Sequence, residues 1–259
     1  MRWGDTGFVT VNGTALECTG FGPSPDQAPT LILLHEGLGS CHIWRDLPAR
    51  LTKATGYGVF AYSRAGYGQS DPANLPLPPD FLERHARDTL PALLDRLHLK
   101  TGFLLGHSDG ASIVAAYLGT HTDPRITGAC LIAPHFFTEP VGLRAIAAAR
   151  QAFADGLLRD RLKRHHRDVD SMFKGWNDIW LDPNFTTWNI EHLLPCIQTP
   201  ILAIQGEDDQ YGTLAQIDSL QKHLPNPPRV HILKNCKHAP HLEQPEATLT
   251  AITGFIRQP

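Results

Sequence analysis

The sequence predicts an α/β fold, a mostly parallel, doubly wound sheet of about eight strands carrying a helical cap. Three observations lead there. Short, continuous apolar runs recur along the chain with helical patterns between most of them, which is how strands covered on both faces read. The chain opens instead on a hairpin, Gly7–Val11 and Thr14–Cys18 around Asn12-Gly13, the strongest short-range signal for a tight turn between β-prone segments. One long interval, residues 134–195, then breaks the alternation.

Taken in order, the hairpin is followed by a Pro-rich loop and the run Thr30–Leu34. Further strand-like runs lie at Tyr57–Tyr62, Phe103–Leu105, Ile126–Ala133, Pro200–Gln205 and Arg229–Leu233. Helical patterns occupy Phe81–Leu97, Ala111–Leu118, Leu214–His223 and Glu246–Ile256. Strands alternating with helices imply a parallel sheet whose ligand site lies beyond the strands' carboxyl ends. Residues 134–195 read as helical, without a clear strand, and they cluster Phe136, Phe137, Phe153, Phe173, Trp176, Trp180, Phe185 and Trp188. A stretch of this length is too long for a simple loop. It is read as an inserted cap, with residues 1–133 and 196–259 forming the core.

Composition narrows the function classes. Of 259 residues, 42% are apolar and 19% charged, and the formal net charge is −3, an ordinary globular profile. The nearest approach to a basic nucleic-acid footprint, Arg159 to Arg167, is interrupted by Asp160 and Leu162 and reads as a solvated helix face. No apolar stretch suits a signal peptide or a membrane span, so a cytoplasmic protein without a membrane partner is expected. The five cysteines (Cys18, Cys41, Cys130, Cys196, Cys236) lack C-x-x-C spacing and read as thiols in a reducing compartment. Nothing in the spacing of the histidines suggests a metal, and no cofactor is expected. A monomer or a homodimer acting on a small molecule remains open.

The chemistry is carried by Gly106-His107-Ser108-Asp109-Gly110, a G-x-S-x-G directly after the apolar run Phe103-Leu104-Leu105 and directly before a helical pattern. A serine on such a strand–turn–helix junction projects its hydroxyl above the sheet edge. A serine hydroxyl is a weak nucleophile and needs a base, itself oriented by a third group. Both partners follow on loops after later strands: an acid in Gly206-Glu207-Asp208-Asp209, and a histidine in Asn235-Cys236-Lys237-His238.

Leu34-His35-Glu36-Gly37-Leu38-Gly39-Ser40, Ser63-Arg64-Ala65-Gly66-Tyr67-Gly68-Gln69-Ser70, the serine motif, Gly206-Glu207-Asp208-Asp209 and His238-Ala239-Pro240-His241-Leu242-Glu243-Gln244-Pro245 stand in order on the same edge. Together they resemble the α/β-hydrolase superfamily, in its lid-bearing, esterase-like serine hydrolases, over essentially the whole chain. The resemblance implies Ser108 as nucleophile, His238 as base and Asp209 as acid, with Asp208 as the alternative register. It implies oxyanion donors in the backbone N–H of Asp109 and in that of Gly37, matched from the His35 side, or Leu38. A carboxylate at Asp109 would oppose a developing oxyanion unless turned away. Arg64 is expected to be a structural hydrogen-bonder, His241 to pack under its loop or to start the last helix, and the other histidines, His165 and His166 included, to be exposed. Trp44 and Cys41 are expected to begin a helix, beside the pocket or in the core.

The same resemblance orders the possible reactions. A serine at position 108 disfavours the dehalogenases and epoxide hydrolases, which use aspartate. His107 and Ala239 stand where hydrolases of carbon–carbon bonds in ring-fission products typically carry Asn and Trp, so that activity is the alternative. Hydrolysis of a small to medium apolar or aromatic carboxylic ester, lactone or thioester through an acyl-enzyme is the expectation. A non-catalytic small-molecule receptor on the same fold is the opposing one. Trp176, Trp180 and Phe173 are the candidate substrate contacts from the cap.

Overall fold

In the computed structural model, which describes residues 3–258, eight strands form one sheet in the order β1-β2-β4-β3-β5-β6-β7-β8. β1 (Thr6–Val11) and β2 (Thr14–Phe21) pair antiparallel, with Val11 opposite Thr14. Asn12 and Gly13 both take positive φ, 49° and 80°, which gives this two-residue turn the twist of its strands. β2 also runs antiparallel to β4 (Gly58–Tyr62); from β4 onward all neighbours are parallel.

β3 (Thr30–Leu34) has no exposed residue because it is covered on both sides. Ile32 and Leu34 join one apolar cluster and Leu31 and Leu33 the other, so a period-2 strand reads as an unbroken apolar run. α1 (Leu47–Thr55) and the last helix, α10 (Pro245–Arg257), supply residues to the second cluster. The first takes α2 (Phe81–Arg84), α3 (Leu90–Arg96) and α4 (Asp109–Thr120). The single helix expected over Phe81–Leu97 is interrupted by a π-helical turn at His85–Thr89.

The chain adds β4 on one side of β3 and then β5 (Gly102–His107) on the other. That reversal opens a crevice at the carboxyl ends of β3 and β5. β6 (Ile126–Ile132), β7 (Ile201–Gly206) and β8 (Arg229–Leu233) extend the sheet beyond β5, with α8 (Ala215–His223) between β7 and β8 and α9 (Pro240–Glu243) just after β8. The strand bounds match the apolar runs to within a residue or two.

Between β6 and β7 the chain forms α5 (Pro140–Ala154), α6 (Leu157–Leu162), α7 (Val169–Trp180) and a 3₁₀ turn at Glu191–Cys196. Its only β element among the described residues is an isolated bridge, Phe137 to Asn189. Asp168 caps α7 by accepting from the Ser171 N–H at 3.0 Å. Asn177, buried on α7, donates to the Ile146 carbonyl of α5 at 2.9 Å. No helix among the described residues is long and apolar enough to cross a membrane.

Two local expectations are corrected. Trp44 and Cys41 do not begin a helix: α1 starts at Leu47, and both side chains are buried in the core beneath it. His166 is not exposed. Its Nδ1 accepts from the Gly68 N–H at 2.9 Å and its Nε2 donates to the Leu38 carbonyl at 3.0 Å, so two backbone groups satisfy a buried neutral ring. His35, His107 and His135 are buried as well.

Candidate active site

Ser108 sits between β5 and α4 at φ 53°, ψ −118°, a conformation L residues rarely adopt. Its N–H donates to the Ile132 carbonyl at 2.9 Å, and its carbonyl accepts from Ala111 N–H at 2.8 Å. The flanking glycines are required by close approach. A Cβ on Gly106 would collide with the Gly110 carbonyl, and one on Gly110 with the Leu34 carbonyl. The sharp turn therefore exists only because strand and helix nearly touch.

Asp209 lies three residues beyond the end of β7 and is buried, whereas Asp208 is exposed. The His238 ring, on the loop after β8, donates from Nδ1 to Asp209 Oδ2 at 2.8 Å, with Oδ1 at 2.9 Å. The two loops are in contact, since a Cβ on Gly206 would strike the Lys237 carbonyl. Tyr211 N–H and Gln205 Nε2 also donate to Asp209, each at 2.8 Å. Burial pushes its carboxyl pKa up, but the His238 hydrogen bond and charge and the Tyr211 N–H outweigh it, so the net shift is downward. With Nδ1 committed to the acid, the His238 Nε2 is the ring atom left for proton transfer. Both Ser108 and His238 line one cavity of about 250 Å³; no hydrogen bond joins the Ser108 hydroxyl to the ring. Such bonds commonly tighten only with substrate bound.

Behind His238, His107 donates from Nε2 to the His238 carbonyl at 2.7 Å, which holds the loop. His241 is buried in α9 against Trp44 and His107, with ring centroids at 4.9 and 4.8 Å. Burial drives the pKa of His107 well below the usual imidazole range and that of His241 to about 3, so both rings are neutral packing groups.

The loop after β3 is held by Arg64. Its guanidinium donates to the carbonyls of His35 at 2.6 Å and Glu36 at 3.1 Å, and reaches Asp109 Oδ2 at 3.4 Å. The Asp109 carboxylate is thereby turned to a buried cation. Burial raises its pKa, and Arg64 and His238 oppose the rise. The Asp109 N–H itself lies in the first turn of α4, where helical N–H groups lack an intrahelical acceptor. Of the two N–H groups on the β3 loop, that of Leu38 is taken by the carboxylate of Glu36. The Gly37 N–H is not so engaged.

Of the aromatics expected to contact substrate, all on α7, Trp176 and Trp180 line the cavity with Ser108 and His238, and Phe173 does not. Phe173 stacks on Phe153 of α5, with ring centroids 3.8 Å apart, and leans on Trp176 at 5.8 Å. It is packing inside the helical segment, because it projects from α7 toward α5 rather than toward the sheet. Glu36, His135, Leu143, Ile146, Tyr211 and Leu242 also line the cavity and were not singled out from the sequence. Glu36, Tyr211 and Leu242 had a local signal, standing one, two and four residues from Gly37, Asp209 and His238.

Among the described residues, one group of Glu, Cys and His side chains has donor atoms that converge as metal ligands would: Glu17, Cys41 and His42, all within 4.8 Å. The Glu17 carboxylate is already engaged by protein donors. Glu17 accepts from Ser63 Oγ at 2.8 Å, from Gln69 N–H at 3.0 Å and from His42 Nε2 at 3.2 Å, tying β2 to the turn after β4. None of them lines the Ser108 cavity.

Comparison with known proteins bears on the family and the fold. The human protein named serine hydrolase BPHL is 28% identical over 249 residues, covering 90% of this chain and 80% of its own length. A putative carbamate hydrolase, RutD, of Pseudomonas savastanoi pv. phaseolicola is 27% identical over 251 residues, covering 89% of this chain and 94% of its own. The crystal structure of the enol-lactonase from Burkholderia xenovorans LB400 superposes with a TM-score of 0.79 at 22% identity, over 97% of this chain and 100% of that one, a likeness of fold. The profile of the Alpha/beta hydrolase family matches residues 31–251. With a match across most of its length and the strand order described above, the chain belongs to the alpha/beta hydrolase family.

Proposed function

We propose that the protein is a serine hydrolase acting on a small to medium apolar or aromatic carboxylic ester, or the corresponding lactone or thioester, through an acyl-enzyme. The observation that carries the reading is the convergence on one cavity of a serine held at positive φ and a histidine whose Nδ1 is fixed by a buried carboxylate. Ser108 Oγ attacks the carbonyl carbon while His238 Nε2 takes its proton, and Asp209 stabilises the imidazolium that forms. The oxyanion is met by the N–H of Asp109 and that of Gly37, the free donor on its loop. His238 then protonates the leaving alcohol, water repeats the attack, and the acid departs.

In this reading residues 134–195 are a cap that covers the substrate. Trp176, Trp180, Leu143 and Ile146 give the cavity its apolar wall, and its volume of about 250 Å³ suits a small to medium substrate. A fluorophosphonate probe tests the nucleophile: adduct mapping to Ser108, together with turnover of simple esters, is expected. An unlabelled protein would favour a receptor, and turnover of ring-fission diketones above esters would favour carbon–carbon bond hydrolysis.

A further inference from the structure

Trp176 belongs to two cavities. It lines the Ser108 cavity of about 250 Å³ and also a second one of about 320 Å³, between the turn after β4 and α7. No other residue is common to the two linings. The second cavity is walled by Tyr67, Ala73, Leu75, Leu77 and Met172, with Arg167, Asp168 and Ser171 exposed at its edge. Its lining would receive an apolar chain.

The partition is firmly seated. Trp176 is buried, its indole Nε1 lies where a Cβ on Gly37 would stand, and Phe173, itself stacked on Phe153, braces it from α7. Gly37 is the proposed second oxyanion donor, so the indole stands next to the position of the reacting carbonyl. A substituent running from that carbonyl toward α7 ends against the ring.

We propose that Trp176 is the ruler that sets how long an apolar chain the Ser108 cavity accepts, and that the second cavity is the compartment such a chain enters once the indole is cut back. The proposal rests on the reading of Ser108 as nucleophile. It concerns straight-chain acyl or alkyl groups, since the two cavities meet only at the indole.

The test uses 4-nitrophenyl alkylphosphonates from methyl to decyl on the full chain. Ser108 Oγ forms a bond to phosphorus, the bond to 4-nitrophenolate breaks, and the serine proton passes to His238; released nitrophenolate gives the rate and mass spectrometry the site. The wild type is expected to react well with short chains and to fall off at octyl and decyl. Trp176→Ala should raise the decyl-to-methyl rate ratio at least about tenfold, since each methylene admitted to an apolar site is worth roughly fourfold. Trp176→Phe, which keeps an aromatic wall, should give a smaller gain and carries the test if the alanine variant fails to fold. Adding Ser171→Phe to either variant, to obstruct the second cavity, should remove the gain. An unchanged length profile in the folded Trp176 variants overturns the proposal, as does a gain that survives Ser171→Phe. A wild type that reacts with no chain length removes the nucleophile reading and the ruler with it, a result distinct from both.

Discussion

Replacing Asp209 by Asn changes one atom and should nearly abolish turnover. Every hydrogen-bond partner of this carboxylate is a donor: His238 Nδ1, Gln205 Nε2 and Tyr211 N–H, each at 2.8 Å, and Gly212 N–H at 3.4 Å. An amide supplies one acceptor and one NH₂ group, so a donor must face a donor. The ring can relieve the clash by shifting its proton from Nδ1 to Nε2, and Nε2 then cannot take the proton of Ser108. Wrong-tautomer variants of this arrangement lose on the order of 10⁴ in rate, about 5.5 kcal/mol. Asp208, exposed one residue earlier, makes none of these bonds, so Asp208→Asn should cost no more than about threefold, a surface-scale effect. The assay is kcat/KM for 4-nitrophenyl butyrate, with thermal unfolding as the check on integrity. An Asp209→Asn protein that folds and keeps a tenth of the parent rate, or a costlier Asp208→Asn, would refute the assignment.

Other outcomes follow from the same geometry. Ser108→Ala should fold normally and lose about 10⁴-fold or more in kcat, and residual turnover above a tenth of the parent would sink the nucleophile assignment. Trp180→Ala should raise KM for bulky aryl esters about tenfold while sparing acetates. Phe173→Ala, which empties a stacked packing site, should instead lower stability by about 3 kcal/mol, read by urea unfolding, with no dependence of KM on substrate size. Burial raises the Glu17 carboxyl, but His42, Gln69 N–H and Ser63 together bring it from 4.5 down to about 2. A depressed carboxylate stabilises the fold above its unfolded pKa and loses that contribution as pH falls from 4.5 through about 2. The shift corresponds to about 3 kcal/mol, cut to about 2 by solvent around the more exposed His42. Denaturant titrations of Glu17→Gln should therefore lie below the parent near neutrality and converge with it in acid; parallel curves would contradict the ion pair.

What the sequence made legible was whatever covalent spacing controls. Ser108, Asp209 and His238 each stand a fixed step past the end of a strand, and strand ends are readable from apolar runs. Which of the Gly37 and Leu38 N–H groups stays free depended on where the Glu36 side chain goes, and spacing does not say that it caps Leu38. Phe173 and Trp176 stand three apart on one helix and differ by a small rotation, which decides between packing on α5 and facing the cavity. The buried histidines were unreadable for a related reason. His166 is inside only because Gly68 N–H and Leu38 C=O, far away in sequence, satisfy both of its nitrogens. Glu17 looked like an ordinary strand residue until the turn after β4 closed over it.

The connector between α6 and α7 is fastened to the core at several points. His166 spans Gly68 and Leu38, the Arg167 N–H donates to the Gly68 carbonyl at 2.8 Å, and its guanidinium donates to the Ser70 carbonyl at 2.8 Å. At about 1 kcal/mol each, these four bonds hold that end of the insertion down by several kilocalories, leaving a raised state populated well below one per cent. If residues 134–195 are the proposed cap, this end of it is expected to stay seated on the core during turnover. Gln210 and Glu243, exposed where they border the cavity, then mark the side from which a ligand is expected to enter, and turnover should show no lag for lifting and no jump at a lipid surface.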